Sequence, residues 1–319
     1  MRDLHVGFAR QDDPDVIGKA VDGVSFTLER GQTMCLVGES GSGKSVTALS
    51  LLRLLPSPPA RYLGGTVLFD GVDLSAASEA ELRSLRGNKA GMVFQDPMTS
   101  LNPVMRVGEQ MTEGLRLHKG LSKKAAEDAA VAMLQRVGIA DAADRVRDFP
   151  HQMSGGMRQR VMIGMALACN PDLLIADEPT TALDVTVQKQ ILALMRKLID
   201  DFGSGLLFIT HDLSIVAQIA DAVAVMYAGR IVEQGPARDV LTSPAHPYTE
   251  GLLRSRPGLH SAKTRLEAIP GTVPSLWARP SGCSFHPRCG KAFDRCMEAE
   301  PPFFSAGSGR QARCWLLEN

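Results

Sequence analysis

One eight-residue segment of the chain has the residue types and the spacing that bind phosphate. Residues 38–45 fit the pattern G-x-x-x-x-G-K-[ST] of a phosphate-binding loop, or P-loop. Its glycines let the backbone wrap closely around an anion, and a helix that begins near Lys44 offers unpaired N–H groups to it. Lys44 is expected to reach the β- and γ-phosphates of a nucleotide, and the Ser45 hydroxyl is expected to bind Mg²⁺. The candidate nucleotide-binding residues are Gly38, Glu39, Ser40, Gly41, Ser42, Gly43, Lys44 and Ser45.

Two acidic residues at the end of an apolar run form a second candidate site. Residues 173–176 read Leu-Leu-Ile-Ala, which indicates a buried strand, and Asp177 and Glu178 follow directly. Alone, the pair could equally be a solvated acidic turn. In a chain with a P-loop it predicts a site in which Asp177 holds Mg²⁺ and Glu178 is the general base for an attacking water.

Three further segments carry polar residues whose roles the pattern alone does not decide. His211 follows the apolar run 206–210 and could contact a γ-phosphate, although a lone histidine after a strand is more often structural. Gln95, in the segment 92–96, is equally weak in isolation. Ser154 begins a second glycine-rich loop, and because serine is a good N-cap, the apolar spacing after it predicts a helix.

The remaining pattern predicts a mixed α/β organisation. Residues 33–37, 223–227 and 231–233 are expected to be strands of a core sheet, and the stripe of apolar residues through 183–198 is expected to pack on that sheet. Much of 97–165 is helical in pattern and is interpreted as an inserted helical subdomain. Alternating apolar residues predict early antiparallel strands around Leu4, Val6 and Phe8 and around Val24, Phe26 and Leu28.

The composition of the chain limits the classes of function that it can have. The chain has 319 residues with 35 basic and 35 acidic side chains, so no overall field favours nucleic acid as a partner. No apolar stretch reaches about 18 residues, the length of a spanning helix. Residues 1–5 contain no apolar signal core. We therefore expect a cytoplasmic protein that reaches a membrane only through a partner.

Residues 241–319, hereafter the C-terminal extension, are rich in proline and contain four of the six cysteines. In a reducing cytosol, four clustered cysteines are more often metal ligands than disulfides. Four thiolates fit a [4Fe–4S] cluster or Zn²⁺, with His286 as a substitute ligand for zinc, and free thiols are the remaining alternative. Cys35 and Cys169 lie in apolar segments and are expected to be inert core thiols. The candidate ligands are Cys283, Cys289, Cys296 and Cys314.

Together these segments resemble the ATP-binding-cassette (ABC) ATPases, whose motifs occur here in the family order. The resemblance implies an α/β fold with a mixed sheet core, an antiparallel β subdomain and an inserted helical subdomain. It also implies ATP and Mg²⁺ as ligands, with Gln95 contacting the metal. The matching segments are Walker A (Lys44, Ser45), the Q-loop (Gln95), the signature loop (Ser154, Gly155, Gly156, Met157), Walker B (Asp177, Glu178), the D-loop (Ala182, Leu183, Asp184) and the switch histidine (His211).

The resemblance extends to the oligopeptide/dipeptide importer group of ABC ATPases. The segments 93–103, 152–163, 246–249 and 269–274 are similar to that group. Such tails suggest an iron–sulfur cluster more than zinc. Met157 stands where the wider family usually has glutamine. A methionine at this position is similar to one of the two paralogous ATPases in these importers. The resemblance thus implies an ABC nucleotide-binding domain at 1–240, with the helical subdomain near 97–165, followed by the extension at 241–319.

The implied machine has several partners. It is a head-to-tail dimer, formed with a paralogous ATPase, in which each ATP lies between one Walker A loop and the partner's signature loop. Two membrane-spanning permease subunits hold it at the cytoplasmic face of the membrane, and an extracytoplasmic solute-binding protein delivers peptides. Nickel, glutathione or sugar cargo, a soluble ABC protein acting on nucleic acid and a P-loop kinase are the alternatives, and the signature loop and D-loop disfavour the kinase.

One segment departs from the ABC pattern. The family usually stacks an aromatic side chain on adenine upstream of the first buried strand, but no aromatic residue lies between Phe8 and Phe26. Val16 or Ile17 is expected to supply an apolar contact with the base instead.

Overall fold

A computed structural model describes residues 1–181, 183–255, 268–307 and 309–318. The chain forms two compact units. The first contains residues 1–27, 33–77 and 209–319, and the second contains residues 28–32 and 78–208.

The elements are given in chain order. The strands are β1 (Arg2–Ala9), β2 (Ile17–Val24), β3 (Thr33–Val37), β4 (Ala60–Thr66), β5 (Leu68–Phe69), β6 (Val72–Asp73), β7 (Ala90–Val93), β8 (Leu173–Asp177), β9 (Gly205–Thr210), β10 (Ala222–Tyr227), β11 (Arg230–Pro236), β12 (Phe304–Ser305) and β13 (Gln311–Ala312). The helices are α1 (Lys44–Leu51), α2 (Glu79–Leu85), α3 (Pro97–Ser100), α4 (Val107–Lys119), α5 (Lys123–Arg136), α6 (Ala142–Arg145), α7 (Gly155–Leu167), α8 (Val185–Phe202), α9 (Leu213–Ile219), α10 (Ala237–Thr242), α11 (Pro247–Arg254) and α12 (Asp294–Glu298).

The first unit contains the two-stranded sheet β5-β6 and two larger sheets that flank its nucleotide-binding candidates. The antiparallel sheet has the order β2-β1-β4. The other strands run in the order β12-β13-β11-β10-β3, where β10 and β3 are parallel and the remaining pairs are antiparallel. All five residues of β3 are buried, as expected for a central parallel strand with a continuous apolar sequence. The mixed sheet and the antiparallel subdomain predicted from the sequence are confirmed.

The second unit combines strands β7 to β9 with the helices of its middle segment. Strands β7 and β8 pair in parallel, and the strand order is β9-β8-β7. Helix α4 packs against α5 and α7, so the expectation of a largely helical segment between 97 and 165 is confirmed. Helix α8 buries an apolar face that includes Ile191 and Leu198, as its spacing predicts. Among the described residues, no helix is long and apolar enough to cross a membrane.

One strand prediction from alternation is wrong. The residues Val24, Phe26 and Leu28 alternate, but β2 covers Ile17–Val24 and ends where this pattern begins. Phe26 is buried although it lies outside a strand, because it packs into the core from the connection to β3. Alternation therefore reported burial correctly and secondary structure incorrectly. The first strand, β1, agrees with its alternating residues, since Leu4 and Val6 are buried.

A buried carboxylate ties β2 to two later parts of the first unit. Asp22 is 4% exposed, and its carboxylate contacts Arg230 of β11 at 2.6 Å, Arg279 of the extension at 2.9 Å and Lys19 at 3.1 Å. Burial opposes ionisation, but Arg230, Lys19 and Arg279 outweigh it and lower the pKa of Asp22 to about 2. The ionised carboxylate is therefore part of the folded structure.

Replacing Asp22 with asparagine should destabilise the chain, because Arg279 loses the carboxylate it pairs with and Arg230 loses one of its two carboxylate partners, keeping Glu300. We expect the free energy of unfolding to fall by about 3 kcal/mol at pH 7. Since the folded pKa of Asp22 lies below its ordinary value, its contribution is complete above about pH 4 and is lost as the pH falls towards 2. Urea unfolding of wild type and Asp22→Asn at pH 7 and pH 3 measures both effects. Asp12→Asn, at an exposed surface pair, is the matched control, and equal shifts in the two variants would contradict the prediction.

Candidate nucleotide site

The P-loop connects β3 to α1 in the first unit, as its pattern requires. It leaves the strand at Val37 and enters the helix at Lys44, with Gly43 as a left-handed N-cap. Neighbouring backbone groups lie close to the loop at two of its glycines. A Cβ atom at Gly38 would collide with the carbonyl oxygen of Met226, and a Cβ atom at Gly43 would collide with the carbonyl oxygen of Ala20. Both glycines also have positive φ, at 155° and 101°. Only glycine satisfies both conditions, which explains these two residues of the motif.

Two polar side chains of the loop, those of Lys44 and Ser42, are buried. Lys44 is 5% exposed, and its ammonium donates to the carbonyl oxygens of Gly38 at 2.8 Å and Glu39 at 3.0 Å. The hydroxyl of Ser42 is fully buried and has no hydrogen-bond partner within the described part of the chain. A buried hydroxyl without a partner costs about 1–3 kcal/mol. A bound phosphate would supply an acceptor, so the loop fits the anion that its sequence predicts.

The predicted carboxylates lie in the second unit, at the end of β8. Asp177 is the last strand residue and is buried. Glu178 follows with a positive φ of 45°, a conformation that non-glycine residues rarely adopt and that is enriched at functional sites. Its Oε2 atom accepts from Gln95 Nε2 at 3.2 Å and from Thr181 Oγ1 at 3.0 Å. The structure therefore joins two predicted site residues, Gln95 and Glu178, and adds Thr181.

The second glycine-rich loop forms the helix start that its sequence predicts. Ser154 is the N-cap of α7, and its hydroxyl accepts from the N–H of Met157 at 3.3 Å. A Cβ at Gly155 would meet nothing within 4 Å, so this residue lies at an open surface. Asp184 caps α8 and accepts from the N–H groups of Thr186 at 3.0 Å and Val187 at 2.9 Å. Of the predicted D-loop, Ala182 lies outside the described residues.

The residues expected to contact the γ-phosphate and the base of the nucleotide, His211 and Val16 with Ile17, lie in the first unit. His211 directly follows β9 and is exposed. Val16 is 39% exposed, and Ile17 begins β2. The extension contributes an aromatic here that the sequence did not reveal: Leu276 and Trp277 pack over Gly18, and Trp277 remains 40% exposed. A distance of 259 residues between Gly18 and Trp277 leaves no local signal of this contact.

The four cysteines of the extension line one small cavity, hereafter the cysteine cavity, together with Trp315 and other side chains. All four are free thiols. Burial raises the pKa of Cys283 to about 11, and the other three cysteines act in the same direction. Among the described residues, no group of three or more His, Cys, Asp or Glu side chains is arranged to hold a single metal ion. The described residues therefore do not support the metal site predicted for the extension.

The two cysteines outside the extension are core thiols. Burial raises the pKa of Cys35 and of Cys169, which is consistent with the inert thiols predicted for them.

Comparison with known proteins decides the family. The family model described as ABC transporter matches residues 21–181, and the model described as oligopeptide/dipeptide transporter, C-terminal region, matches residues 232–296. This chain belongs to the ABC transporter family. The oligopeptide transport ATP-binding proteins AppD and OppD of Bacillus subtilis (strain 168) are 50% and 53% identical to this ABC protein. The alignments cover 94% of this chain in both cases, and 91% of AppD and 84% of OppD.

The solved structures that resemble this chain are ABC cassettes, in agreement with the family assignment. The ATP-binding cassette MJ0796, in a dimeric post-hydrolysis state bound to ADP and Pi, has a TM-score of 0.66 and 26% identity to this chain. The match covers 74% of this chain and 97% of that one. Another dimeric structure of MJ0796, a bacterial ABC transporter cassette, gives a TM-score of 0.65. The predicted fold class is confirmed, and this protein is an ATPase of the ABC type.

The geometry around Glu178 generates a direct test of its role. Glu178→Gln removes the carboxylate that the sequence predicts to be the general base, and it retains an amide oxygen that can still accept from Gln95 and Thr181. Because a positioned general base contributes about 10²–10⁴-fold, we expect kcat for ATP hydrolysis to fall at least about 100-fold while ATP binding persists. Phosphate release and nucleotide binding measure the two quantities. Glu127→Gln, an exposed glutamate of α5 with the same charge change, is the control. Wild-type turnover in Glu178→Gln would exclude Glu178 as the base.

Proposed function

We propose that this ABC ATPase powers the import of peptides across the cytoplasmic membrane. The observation that carries the proposal is the match of residues 232–296 to the C-terminal region of oligopeptide/dipeptide transporters. Two relatives that are 50% and 53% identical over nearly the whole chain carry the name oligopeptide transport ATP-binding protein. The ABC family match alone would leave the cargo open, whereas the extension restricts it.

We assign a role in ATP hydrolysis to each motif. The P-loop binds the phosphates through its N–H groups and Lys44, and Ser45, Gln95 and Asp177 hold Mg²⁺. Glu178 activates the attacking water, and His211 contacts the γ-phosphate. Val16 and Ile17 contact the base. The side-chain chemistry of each residue matches its role, and the buried hydroxyl of Ser42 without a partner supports the phosphate position.

We further propose that two ATPase chains act together. The N-terminus of α7, capped by Ser154, presents N–H groups and the positive end of a helix dipole, which suits a phosphate supplied by another chain. Gly155 lies at an open surface, as a contact across an interface requires. The signature loop, from Ser154 to Met157, and Asp184 would therefore face the partner's ATP. A paralogous ATPase is the proposed second chain.

The membrane part of the machine consists of other chains in this proposal. Since no described helix can cross a membrane, two permease subunits would provide the path and hold this ATPase at the cytoplasmic face. An extracytoplasmic solute-binding protein would deliver the peptide. ATP binding would bring the two ATPases together, and hydrolysis would release them, which couples the chemistry to a large motion.

Reconstitution tests the peptide assignment. The ATPase is assembled with its paralogue and two permease subunits in liposomes that contain ATP, and the solute-binding protein is added outside. We expect uptake of labelled di- to pentapeptides, and no uptake with Glu178→Gln. Peptide-independent uptake of nickel, glutathione or a sugar by the same vesicles would overturn the cargo assignment and leave the ATPase assignment intact.

We also propose that Cys283, Cys289, Cys296 and Cys314 bind a [4Fe–4S] cluster. Four reduced cysteines around one cavity support this proposal. Such a cluster is wider than a single ion, so its ligands need not approach each other as zinc ligands do. When bound, the cluster would supply a structural cross-link to a segment with little regular structure.

Anaerobic purification followed by metal and sulfide analysis tests the cluster. We expect about four irons and four sulfides per chain, with a broad visible absorption band, and loss of both in Cys289→Ser. Cys169→Ser, outside the extension, is the control. One zinc per chain, or no metal in the anaerobic protein, would contradict the cluster and leave the ATPase assignment unchanged.

A further inference from the structure

The C-terminal extension contacts the P-loop through a partly buried ion pair. Arg288, with a side chain only 5% exposed, donates from Nη1 to Glu39 Oε2 at 2.7 Å and from Nη2 to Glu39 Oε1 at 3.0 Å. Glu39 is the second residue of the P-loop. A two-pronged pair of this kind fixes both the distance and the orientation of the carboxylate. The side chain of Glu39 is therefore held by a residue 249 positions away.

The guanidinium group of Arg288 is itself held in place. Its Nε atom donates to the carbonyl oxygen of Pro270 at 2.7 Å, and its central carbon lies 5.7 Å from the ring centre of Tyr227 and 6.0 Å from that of Phe285. Hydrogen bonding to Glu39 raises the pKa of Arg288 above its already high value. The guanidinium of Arg288 is thus permanently charged and is held in the orientation in which it donates two hydrogen bonds to Glu39.

The backbone of Glu39 is held by the extension as well. Its N–H donates to the hydroxyl of Tyr248 at 2.9 Å. Tyr248 is fully buried and packs against Tyr227 at 4.7 Å and Phe285 at 5.3 Å between ring centres. Since Tyr248 belongs to α11 and Phe285 to the segment before Arg288, two parts of the extension meet at one residue of the P-loop.

Glu39 connects these contacts to the residue that binds phosphate. Its carbonyl oxygen accepts from the ammonium of Lys44 at 3.0 Å. A shift of Glu39 would therefore move a carbonyl group that holds the ammonium of Lys44. The path from the extension to the phosphate site runs from Arg288 to Glu39 and from Glu39 to Lys44, with a hydrogen bond or ion pair at each step.

Arg288 is also joined to the cysteine cavity by the chain itself. A 3₁₀ turn covers His286–Arg288, between Cys283 and Cys289. The N–H of His286 donates to the carbonyl oxygen of Cys283 at 2.9 Å, and that of Cys289 donates to the carbonyl oxygen of His286 at 3.2 Å. The two cysteines therefore bound the short turn that presents Arg288. Whatever fixes or releases them also fixes or releases Arg288.

We infer that Arg288 is a positioning residue of the nucleotide site, which acts on ATP through Glu39, and that the four-cysteine segment sets ATP affinity through it. The inference rests on the nucleotide site proposed above. Arg288 does not bind ATP in this arrangement. It keeps the P-loop in the conformation that accepts the phosphates, so its loss should lower affinity more than it lowers the rate of the bound complex.

Nucleotide binding and steady-state kinetics of Arg288→Ala test the first half of the inference. Binding is measured with a fluorescent N-methylanthraniloyl ATP analogue on anaerobically purified full-length protein. We expect the Kd of the analogue and the KM for ATP to rise about tenfold, while kcat at saturating ATP changes less than about threefold. Arg288→Lys should give an intermediate Kd, because lysine keeps the charge and loses the fork. Arg83→Ala is the matched control, since Arg83 lies on α2, outside the extension, and forms an exposed ion pair with Glu79.

Two variants test the path without the loss of a large side chain. Glu39→Gln removes the charge that Arg288 binds, and Tyr248→Phe removes the acceptor of the Glu39 N–H. Both should raise Kd in the same direction. Because Glu39 and Arg288 act as one pair, the double variant Glu39→Gln/Arg288→Ala should bind no more weakly than the weaker-binding single variant. Additive effects would show that the two residues act separately and would overturn the inference.

A cysteine variant tests the second half. Cys289→Ser should raise Kd in the wild-type background and should add nothing in the Arg288→Ala background. An unchanged Kd in Arg288→Ala or in Glu39→Gln, even with a lowered melting temperature, would reduce the ion pair to a purely structural contact and overturn the inference. If the wild type itself does not bind the ATP analogue, the proposed nucleotide site fails first, and that outcome is distinct from a wild type that binds and variants that bind equally.

Discussion

The close fit of the P-loop between neighbouring backbone groups is the constraint on which the first unit depends. A phosphate can be bound by backbone N–H groups only if the loop turns tightly between a strand and a helix. Here the turn is so closely enclosed that Gly38 and Gly43 have no room for a side chain. The carbonyl groups that enclose them belong to Met226 of β10 and Ala20 of β2, so two different sheets of the unit contribute to one small loop.

The two units carry candidate site residues of different chemical types. The first unit carries the P-loop and His211, which are proposed to contact phosphate. The second carries the carboxylates of Asp177 and Glu178, the amide of Gln95 and the capped start of α7. In the second unit, Glu178 is already constrained by its backbone conformation and by two hydrogen bonds to one of its oxygens. The carboxylate of Glu178 is thus oriented by its own unit.

Sequence reasoning succeeded where a motif has fixed spacing and failed where contacts are distant in the chain. The strand–loop–helix around Lys44, the strand before Asp177 and the cap Ser154 were all predictable, since each depends on neighbours within a few residues. Alternation at Val24, Phe26 and Leu28 misled, because burial in a connecting segment produces the same pattern as a strand. The Arg288–Glu39 pair and the packing of Trp277 on Gly18 bridge more than 240 residues and leave no periodic or local signal.

The two tryptophans of the chain occupy informative and separate positions in the first unit. Trp277 lies half-exposed on β2, whereas Trp315 lines the cysteine cavity and donates its indole N–H to the carbonyl oxygen of Ala299 at 2.8 Å. Their intrinsic fluorescence therefore reports on different surroundings of the same unit. A chain that retains only Trp277 would follow events at β2, and one that retains only Trp315 would follow the cysteine cavity. The protein thus contains two optical probes, and neither requires a chemical label.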